Sequence, residues 1–508
     1  MADSKREIER KYEATPETRL PDLTRAAGVS EVEHRGLTEL DAVYYDTADL
    51  RLAAGSLTLR RRTGGDDAGW HLKFPVSTGI RDEIRAPLAD TLPDDLAGLI
   101  RSRVRDAEVA PVMRLRSARD VCHLLDGKGV LLAELSTDEV HAERLTEDGR
   151  GSTAAWTEIE VELADDRDPA VLDAVERRLR KAGVRPAASP SKLARALAET
   201  APGKPRRTKE PASPRTAGDH VLAYVRHQIA TVIDLDPAVR RGLPDSVHRM
   251  RVATRRLRSA FKTYRKVLDR TVTDPIGAEL KWLAAELGVD RDQEVLDERL
   301  RARIDALPGT LVLGPVSARL TVSSTVRRAG SRRRVVSVLD GKRYLDLLES
   351  LDALLADPPL RSRAARKPAE VLPRAVTRDY ARLATRVARA LEQPPGEGRD
   401  LALHEARKAA KRTRYAAEAA RPALGRPART FAKRVKAVQK ILGDHQDSVV
   451  ARDALRTLAA RAHGAGESAF TWGLLYGQEE AAAADREREL PGIWARASEP
   501  GLRAALKD

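Results

Sequence analysis

Two fold classes are predicted in one chain: an α+β module built on an antiparallel sheet closed into a barrel, followed by an all-α module made of duplicated helical bundles. Three observations lead there. Period-two alternation runs through residues 1–200, a helical pattern rich in Ala, Leu, Arg and Glu runs from 217 onward, and the helical part repeats itself.

The alternating segments are REIERKYE, SLTLRRRT, WHLKFP and TEIEVEL, separated by Gly, Pro and Asp turns. Two helical stretches interleave with them, LPDDLAGLIRSR and PAVLDAVERRLRKAG. Residues 201–216, APGKPRRTKEPASPRT, carry Pro and basic residues with no apolar periodicity and read as a linker. Beyond it, Gly and Pro clusters at 307–315, 357–368 and 394–398 punctuate the helices. VHRMRVATRRLRSAF from Val247 returns as LHEARKAAKRTRYAA from Leu403. His248 matches His404, Arg251 matches Arg407, Arg255 matches Lys411, Arg256 matches Arg412 and Arg258 matches Arg414, all at one spacing. LGVDRDQEV from Leu287 returns as LGDHQDSVV from Leu442, one residue out of step. Two such long copies predict two duplicated bundles, about 217–360 and 370–508, and not a many-repeat solenoid.

Among the 508 residues, Lys and Arg number 91 against 76 Asp and Glu, a net charge of +15. Such a balance predicts polyanionic partners. Aromatic residues make up only 4%, which argues against single-stranded nucleic acid, a ligand that is held by base stacking. No reader motif for nucleic acid is present. No run of about 18 uncharged apolar residues predicts a spanning helix, and the charged N-terminus has no apolar secretion core. The single cysteine, Cys122, allows no intramolecular disulfide and suits a reducing compartment. A cytoplasmic protein is expected, with no membrane partner.

On the strands, side chains alternate between faces. Glu7, Glu9 and Lys11 share one face of the first strand, and Glu158, Glu160 and Glu162 share one face of a later one. Arg60 and Arg62 pair in the same way, Lys73 stands in WHLKFP, and Arg114 and Arg116 stand in VMRLRSA. Buried like-charged groups are costly without partners. A barrel with a charged interior accommodates them all. Its acids suit a hard divalent cation and its bases suit phosphates, a pairing that points to metal-assisted phosphoryl transfer. Cys122 among apolar neighbours reads as a packed thiol, and His71 and His123 read as core or surface residues.

These residues resemble the CYTH family, the triphosphate tunnel enzymes. Its opening ExExK is matched by Glu7-Ile8-Glu9-Arg10-Lys11. YYDT at 44–47, the Arg60–Arg62 strand, Lys73, the 114–116 strand, Asp138, the Glu158–Glu160 strand and Ser191-Lys192-Leu193 follow in the family's order. The resemblance covers about the first 200 residues. It implies an eight-stranded antiparallel tunnel that takes triphosphate compounds with Mg²⁺ or Mn²⁺. Glu7, Glu9, Asp138, Glu158 and Glu160 would hold metal, with Glu134 or Glu139 as alternatives to Asp138. Lys11, Arg60, Arg62, Lys73, Arg116 (or Arg114) and Lys192 would clamp phosphates, and Glu162 would stand just behind the ligands. Glu7, Glu9 and Lys11 are the expected catalytic set.

On a helix at about 100° per residue, His248, Arg251, Arg255, Arg258 and Lys262 form a stripe about 80° wide. His404, Arg407, Lys411 and Arg414 repeat it. Arg429, Lys433, Lys436 and Lys440 form another on ARTFAKRVKAVQKIL. Solvated faces mix signs because like charges at i,i+4 repel, so nearly all-cationic stripes that recur in both repeats predict polyanion binding. These segments resemble the CHAD family over roughly 217–508. That resemblance implies two pseudo-symmetric four-helix bundles that bind polyphosphate in a basic groove through His248, Arg251, Arg255, Arg258, Lys262, His404, Arg407, Lys411, Arg414, Lys433, Lys436 and Lys440. Asp292 and Asp447 would orient basic side chains or cap helices. The two resemblances together match bacterial CYTH-CHAD inorganic triphosphatases. The expected function is metal-dependent hydrolysis of tripolyphosphate to pyrophosphate and phosphate, with polyphosphate bound by the helices. The alternatives are a non-catalytic polyphosphate binder targeted to polyphosphate granules, or a tunnel enzyme acting on thiamine triphosphate or ATP.

Overall fold

The computed structural model describes residues 3–146, 151–201 and 214–507, with backbone alone at 3, 289–292 and 323–331. Most of the expected linker, 202–213, lies outside the described residues. Two compact units are formed, Met1–Glu210 and Pro211–Asp508.

The first unit holds strands β1 (Asp3–Ala14), β2 (Glu31–Asp46), β3 (Thr58–Thr63), β4 (Gly69–Ser77), β5 (Ile80–Ala86), β6 (Ala110–Leu125), β7 (Leu131–Arg144), β8 (Thr153–Leu163) and β9 (Arg185–Pro186). Helices α1 (Arg51–Ala54), α2 (Asp94–Val104), α3 (Ala170–Lys181) and α4 (Lys192–Glu199) complete it. The strands pair antiparallel in the order β5-β4-β3-β2-β6-β7-β8-β1, and β1 also pairs with β5, so eight strands close a barrel; β9 adds to β1. The charged interior is possible because the outer face is apolar and covered. Ile159, Val161 and Leu163 of β8 share a buried cluster with Leu172, Val175 and Leu179 of α3. Leu59, Trp70, Leu72 and Ile84 do the same with Leu96, Leu99 and Ile100 of α2.

One end of the interior is not charged. Leu193 and Ala196 of α4 pack with Met113, Leu115, Val140, Ala142 and Trp156, the inward residues of β6, β7 and β8. The Ser191 hydroxyl caps α4 by accepting from the Ala194 N–H at 3.1 Å. In YYDT, the wholly buried Asp46 accepts from the N–H groups of Thr47, Leu52 and Ala53 at 2.7, 2.8 and 2.9 Å, which fixes the start of α1.

The second unit is all helical: α5 (Ala217–Arg240), α6 (Ser246–Thr263), α7 (Arg270–Glu286), α8 (Val289–Asp305), α9 (Val316–Asp340), α10 (Lys342–Ala356), α11 (Pro368–Glu392), α12 (Glu397–Gly464), α13 (Phe470–Ala497) and α14 (Pro500–Ala504). The three Gly/Pro clusters fall at the breaks before α9, α11 and α12. Within α12, Gly425 takes φ 59° and ψ −133°, a left-handed geometry that breaks it into two helices. The two copies share their interior. One cluster joins Met250, Leu257 and Phe261 of α6 to Leu403, Ala410 and Phe431 of α12. A smaller one joins Leu296 and Leu300 of α8 and Val316 of α9 to Leu455 of α12 and Trp472 of α13. No described helix is long and apolar enough to cross a membrane.

Candidate functional site

The barrel interior is a cavity of about 260 Å³ lined by acids and bases in contact. Below it lies an acid cluster from β7 and β8, of which Glu160 reaches the cavity. Asp138, Glu158 and Glu160 each present an oxygen, all within 4.8 Å of one another. The ammonium of Lys192, first residue of α4, sits among them, 2.9 Å from Asp138, 2.8 Å from Glu158 and 2.6 Å from Glu160. Arg119 of β6 donates to both Asp138 oxygens at 2.7 and 2.8 Å and to Glu160 at 2.9 Å. Burial alone would push the Glu160 carboxyl up; Lys11, Lys192 and Arg119 outweigh it and hold it well below the carboxylate range. Burial likewise opposes Asp138 ionisation, and Lys192 and Arg119 bring its carboxyl down. Lys192 itself is lowered by burial but raised further by Asp138 and Glu160, and ends above an ordinary lysine.

Glu7 and Glu9 line the same cavity in a different role. Glu9 accepts from Lys11 at 3.1 Å and lies 3.7 Å from Arg81, while Lys11 also bonds Glu160. Glu7 accepts from Lys73 at 2.6 Å. Burial and the nearby Glu83 raise the Glu7 carboxyl despite Lys73, whereas at Glu9 burial is outweighed by Lys11, Lys73 and Arg81. Neither joins Asp138, Glu158 and Glu160 in the converging set. Glu134 lines the cavity too, and Asp138, not Glu139, points inward with it.

Opposite stands a basic wall. Arg60 and Arg62 of β3 are near-buried, and the Nε of each has no hydrogen-bond partner among the described residues. Burial with Arg60 and Arg119 beside it pushes Arg62 down to about 9. An anion seated there would satisfy both groups.

Arg114 and Arg116 are placed elsewhere. Arg114 donates to Asp41 at 3.0 and 2.5 Å and Arg116 is exposed, both on the outer face. The inward face of β6 is that of Met113, Leu115, Ser117 and Arg119, so Arg119 is the arginine that β6 brings to the cavity. Sequence reasoning passed over it because that face begins apolar. It also passed over Glu83 of β5, which is wholly buried beside Lys73 (3.4 Å), Arg60 (3.8 Å) and His71 (2.8 Å). His71, expected in a core or surface role, belongs to this interior wall. Burial, with Arg60 and Arg62 against Glu83, pushes its imidazole down to about 4, so it stays neutral. Glu162 lines the cavity and pairs with Lys5 at 2.7 Å.

In the helical unit, α6 and α12 bring Arg251, Arg255, Arg407 and Lys411 close enough that the three arginines depress the lysine. Burial is the first cause, then Arg407 and Arg255, and Lys411 falls to about 7. Burial and Arg255 lower Arg258 as well. Arg414 instead stacks on Tyr415 at 4.8 Å and lies 3.5 Å from Glu418. His404 is tied to Gln446 at 2.6 Å. His248, Lys262, Lys433, Lys436 and Lys440 are exposed. Asp447 approaches Arg407 at 3.5 Å, and Asp292 lies outside the described side chains. Two glycines of the repeated LG motif make room for the arginines. A Cβ on Gly288 would stand 2.7 Å from Arg251 Nη2, and one on Gly443 would stand 3.4 Å from Arg407 Nη2.

A barrel pairing acids with bases, and a helical unit gathering mostly bases on facing helices, define a two-module protein. The CYTH domain model matches residues 5–197 and the CHAD domain model matches residues 223–456. Uncharacterized proteins from two strains of Mycobacterium tuberculosis, CDC 1551 and H37Rv, are each 39% identical over 497 residues, covering 95% of this chain and 94% of theirs. The chain belongs to this family of proteins that join a CYTH domain to a CHAD domain. Among solved structures, PptA from Streptomyces chartreusis aligns at TM-score 0.47 and 21% identity, over 56% of this chain and 100% of its own. The CHAD domain from the plant Ricinus communis aligns at TM-score 0.41 and 25% identity, over 57% and 92%.

Proposed function

We propose that the barrel hydrolyses inorganic triphosphate to pyrophosphate and phosphate with Mg²⁺ or Mn²⁺, and that the helical unit binds polyphosphate. The observation that carries this reading is that the Asp138, Glu158 and Glu160 cluster opens, through Glu160, into the cavity that Arg60, Arg62 and Arg119 line. Oxygen-only carboxylate ligands fit Mg²⁺ or Mn²⁺. Asp138, Glu158 and Glu160 would hold the ion, with Glu9 beside them through Lys11 and Glu160. When bound, such an ion neutralises phosphate oxygens and lowers the pKa of coordinated water. Arg60, Arg62, Lys73 and Arg119 would orient the phosphate chain by charge-assisted hydrogen bonds. Lys192 now neutralises the acids; a cation arriving there would free its ammonium for phosphate. His71 stays neutral and holds Glu83, which in turn positions Lys73 and Arg60.

The ammonium of Lys192 among the acids favours a second reading, a tunnel that binds polyphosphate without turnover. One experiment separates the two. Purified chain is given tripolyphosphate, long-chain polyphosphate, ATP or thiamine triphosphate with each metal, and phosphate release is followed alongside equilibrium binding. Metal-dependent release fastest from tripolyphosphate supports the hydrolase. Tight binding with no release from any substrate supports the binder.

A further inference from the structure

The helical unit holds a cluster of ligand-type side chains that its basic stripes do not include. Asp400 and His445 stand on α12, one on each side of the Gly425 break, and Glu487 stands on α13. His445 is only 2% exposed. Its Nε2 lies 3.1 Å from Glu487 Oε1 and 3.4 Å from Asp400 Oδ1. The other oxygen of each carboxylate is engaged by an arginine. Arg399 Nη1 donates to Glu487 Oε2 at 2.7 Å, and Arg452 Nη2 donates to Asp400 Oδ2 at 2.7 Å. The two guanidiniums therefore orient the carboxylates so that one oxygen of each converges on the imidazole.

We propose that His445 Nε2, Asp400 Oδ1 and Glu487 Oε1 form a binding site for Zn²⁺ or a similar first-row transition-metal dication. The three ligand atoms all lie within 4.8 Å of one another. Bonds of about 2.0–2.2 Å to a tetrahedral ion place neighbouring ligands roughly 3.3–3.6 Å apart, close to the two separations seen. Carboxylate ligands braced by outer hydrogen bonds are the usual support of such sites. Asp400 and Glu487 also line a surface cavity of about 500 Å³, which leaves room for water as the fourth ligand. Arg399 and Arg452 cancel the carboxylate charge, so the ion is held by ligand type and direction more than by net field. That selects against Mg²⁺: an imidazole suits zinc and its neighbours, whereas the barrel's all-oxygen set suits harder ions. Bound there, the ion would clip both halves of α12 to α13 and stabilise the folded chain by mass action.

The test uses the full chain, stripped of metal and titrated with Zn²⁺, then Co²⁺, in a large excess of Mg²⁺ that occupies the barrel. One tightly bound equivalent, a rise in the thermal midpoint, and a visible Co²⁺ spectrum with imidazole ligation are expected. Glu487→Gln and His445→Gln should each weaken that equivalent more than tenfold, while Glu160→Gln in the barrel should leave it intact. Because His445 is buried, zinc-edge anomalous scattering from wild-type crystals gives a reading that needs no variant, with a peak expected among the three atoms. No retained zinc in the wild type, equal retention in both variants, or a peak elsewhere would overturn the site and leave the triad as an ion-paired brace.

Discussion

The two units gather cations in opposite ways. In the barrel, each lysine or arginine of the cavity lies beside a carboxylate, and Lys11 and Lys192 are raised above an ordinary lysine. In the helical unit, Lys411 is buried beside Arg407, Arg255 and Arg251, which outweigh Asp447, and it falls to about 7. The residue type is the same and the direction of the shift is reversed. A neutral mixture of charges can accept a cation and an anion together. A lone excess of positive charge can be relieved only by an anion.

The largest test of this contrast is Glu160→Gln. Glu160 contacts Lys11, Lys192 and Arg119 and belongs to the converging acids, so its loss should cut metal-dependent phosphate release by more than ~100-fold, beyond the losses usual for outer residues. Glu9→Gln, which acts through Lys11 and Arg81, should cost less. Steady-state rates across a metal titration check both; equal losses would place Glu9 among the ligands after all.

Next is Arg255→Glu with Lys411→Glu. Two charge-assisted contacts at ~1.5 kcal/mol each amount to about 100-fold in polyphosphate affinity. Arg361→Glu with Arg363→Glu, a pair outside the α6 and α12 stripes, changes the net charge equally and should cost less than about tenfold, because charges that do not face the ligand are screened. Isothermal titration with long-chain polyphosphate decides; equal losses would mean a diffuse cationic surface.

The third test is pH. Polyphosphate favours protonated Lys411, so affinity should fall by up to about tenfold per unit as pH rises above 7, with proton uptake on binding. Stability moves the other way. The folded pKa of about 7 lies below the 10.5 of a free lysine, so the unfolded chain holds more protons between those values. The ligand-free helical unit should therefore gain stability as pH rises through that window. Calorimetry in buffers of different ionisation heat measures the first effect and thermal melts across pH measure the second; a flat response in both would remove the contrast.

The smallest effect should come from Gly288→Ala, which pushes Arg251 aside and should weaken polyphosphate binding a few-fold, with Gly443→Ala weaker still because its contact is looser. Binding titrations on the two variants would show it.

How far the sequence could be read follows from how local each feature is. Strand parity was enough to place Glu7, Glu9, Arg60, Arg62, Lys73, Glu158 and Glu160 in one interior, because alternation is a property of neighbouring residues. It misdirected at β6. There the inward face is apolar over Met113 and Leu115 because α4 fills that end, and it becomes charged only at Arg119. The charged face of β6 at that end is the outer one, so Arg114 and Arg116 lie outside. A partner helix from the end of the domain made the difference, and no local pattern contains it. Glu83 was passed over because RDEIRA reads as an ordinary solvated strand until β1 closes on it. The duplication was visible as two matching segments, yet that the copies share one core depends on packing between α6 and α12. Asp400, His445 and Glu487 come from three separate helical segments and meet only in the fold.

The placement of α4 has a kinetic consequence. Because its Leu193 and Ala196 pack against the apolar inward residues at one end of the barrel, charged products of the proposed hydrolysis would leave by the opposite, polar end, the way the substrate came. Fragments of a cleaved phosphate chain would then compete with incoming substrate for the same passage. Product inhibition and a burst before the steady state would follow from architecture alone.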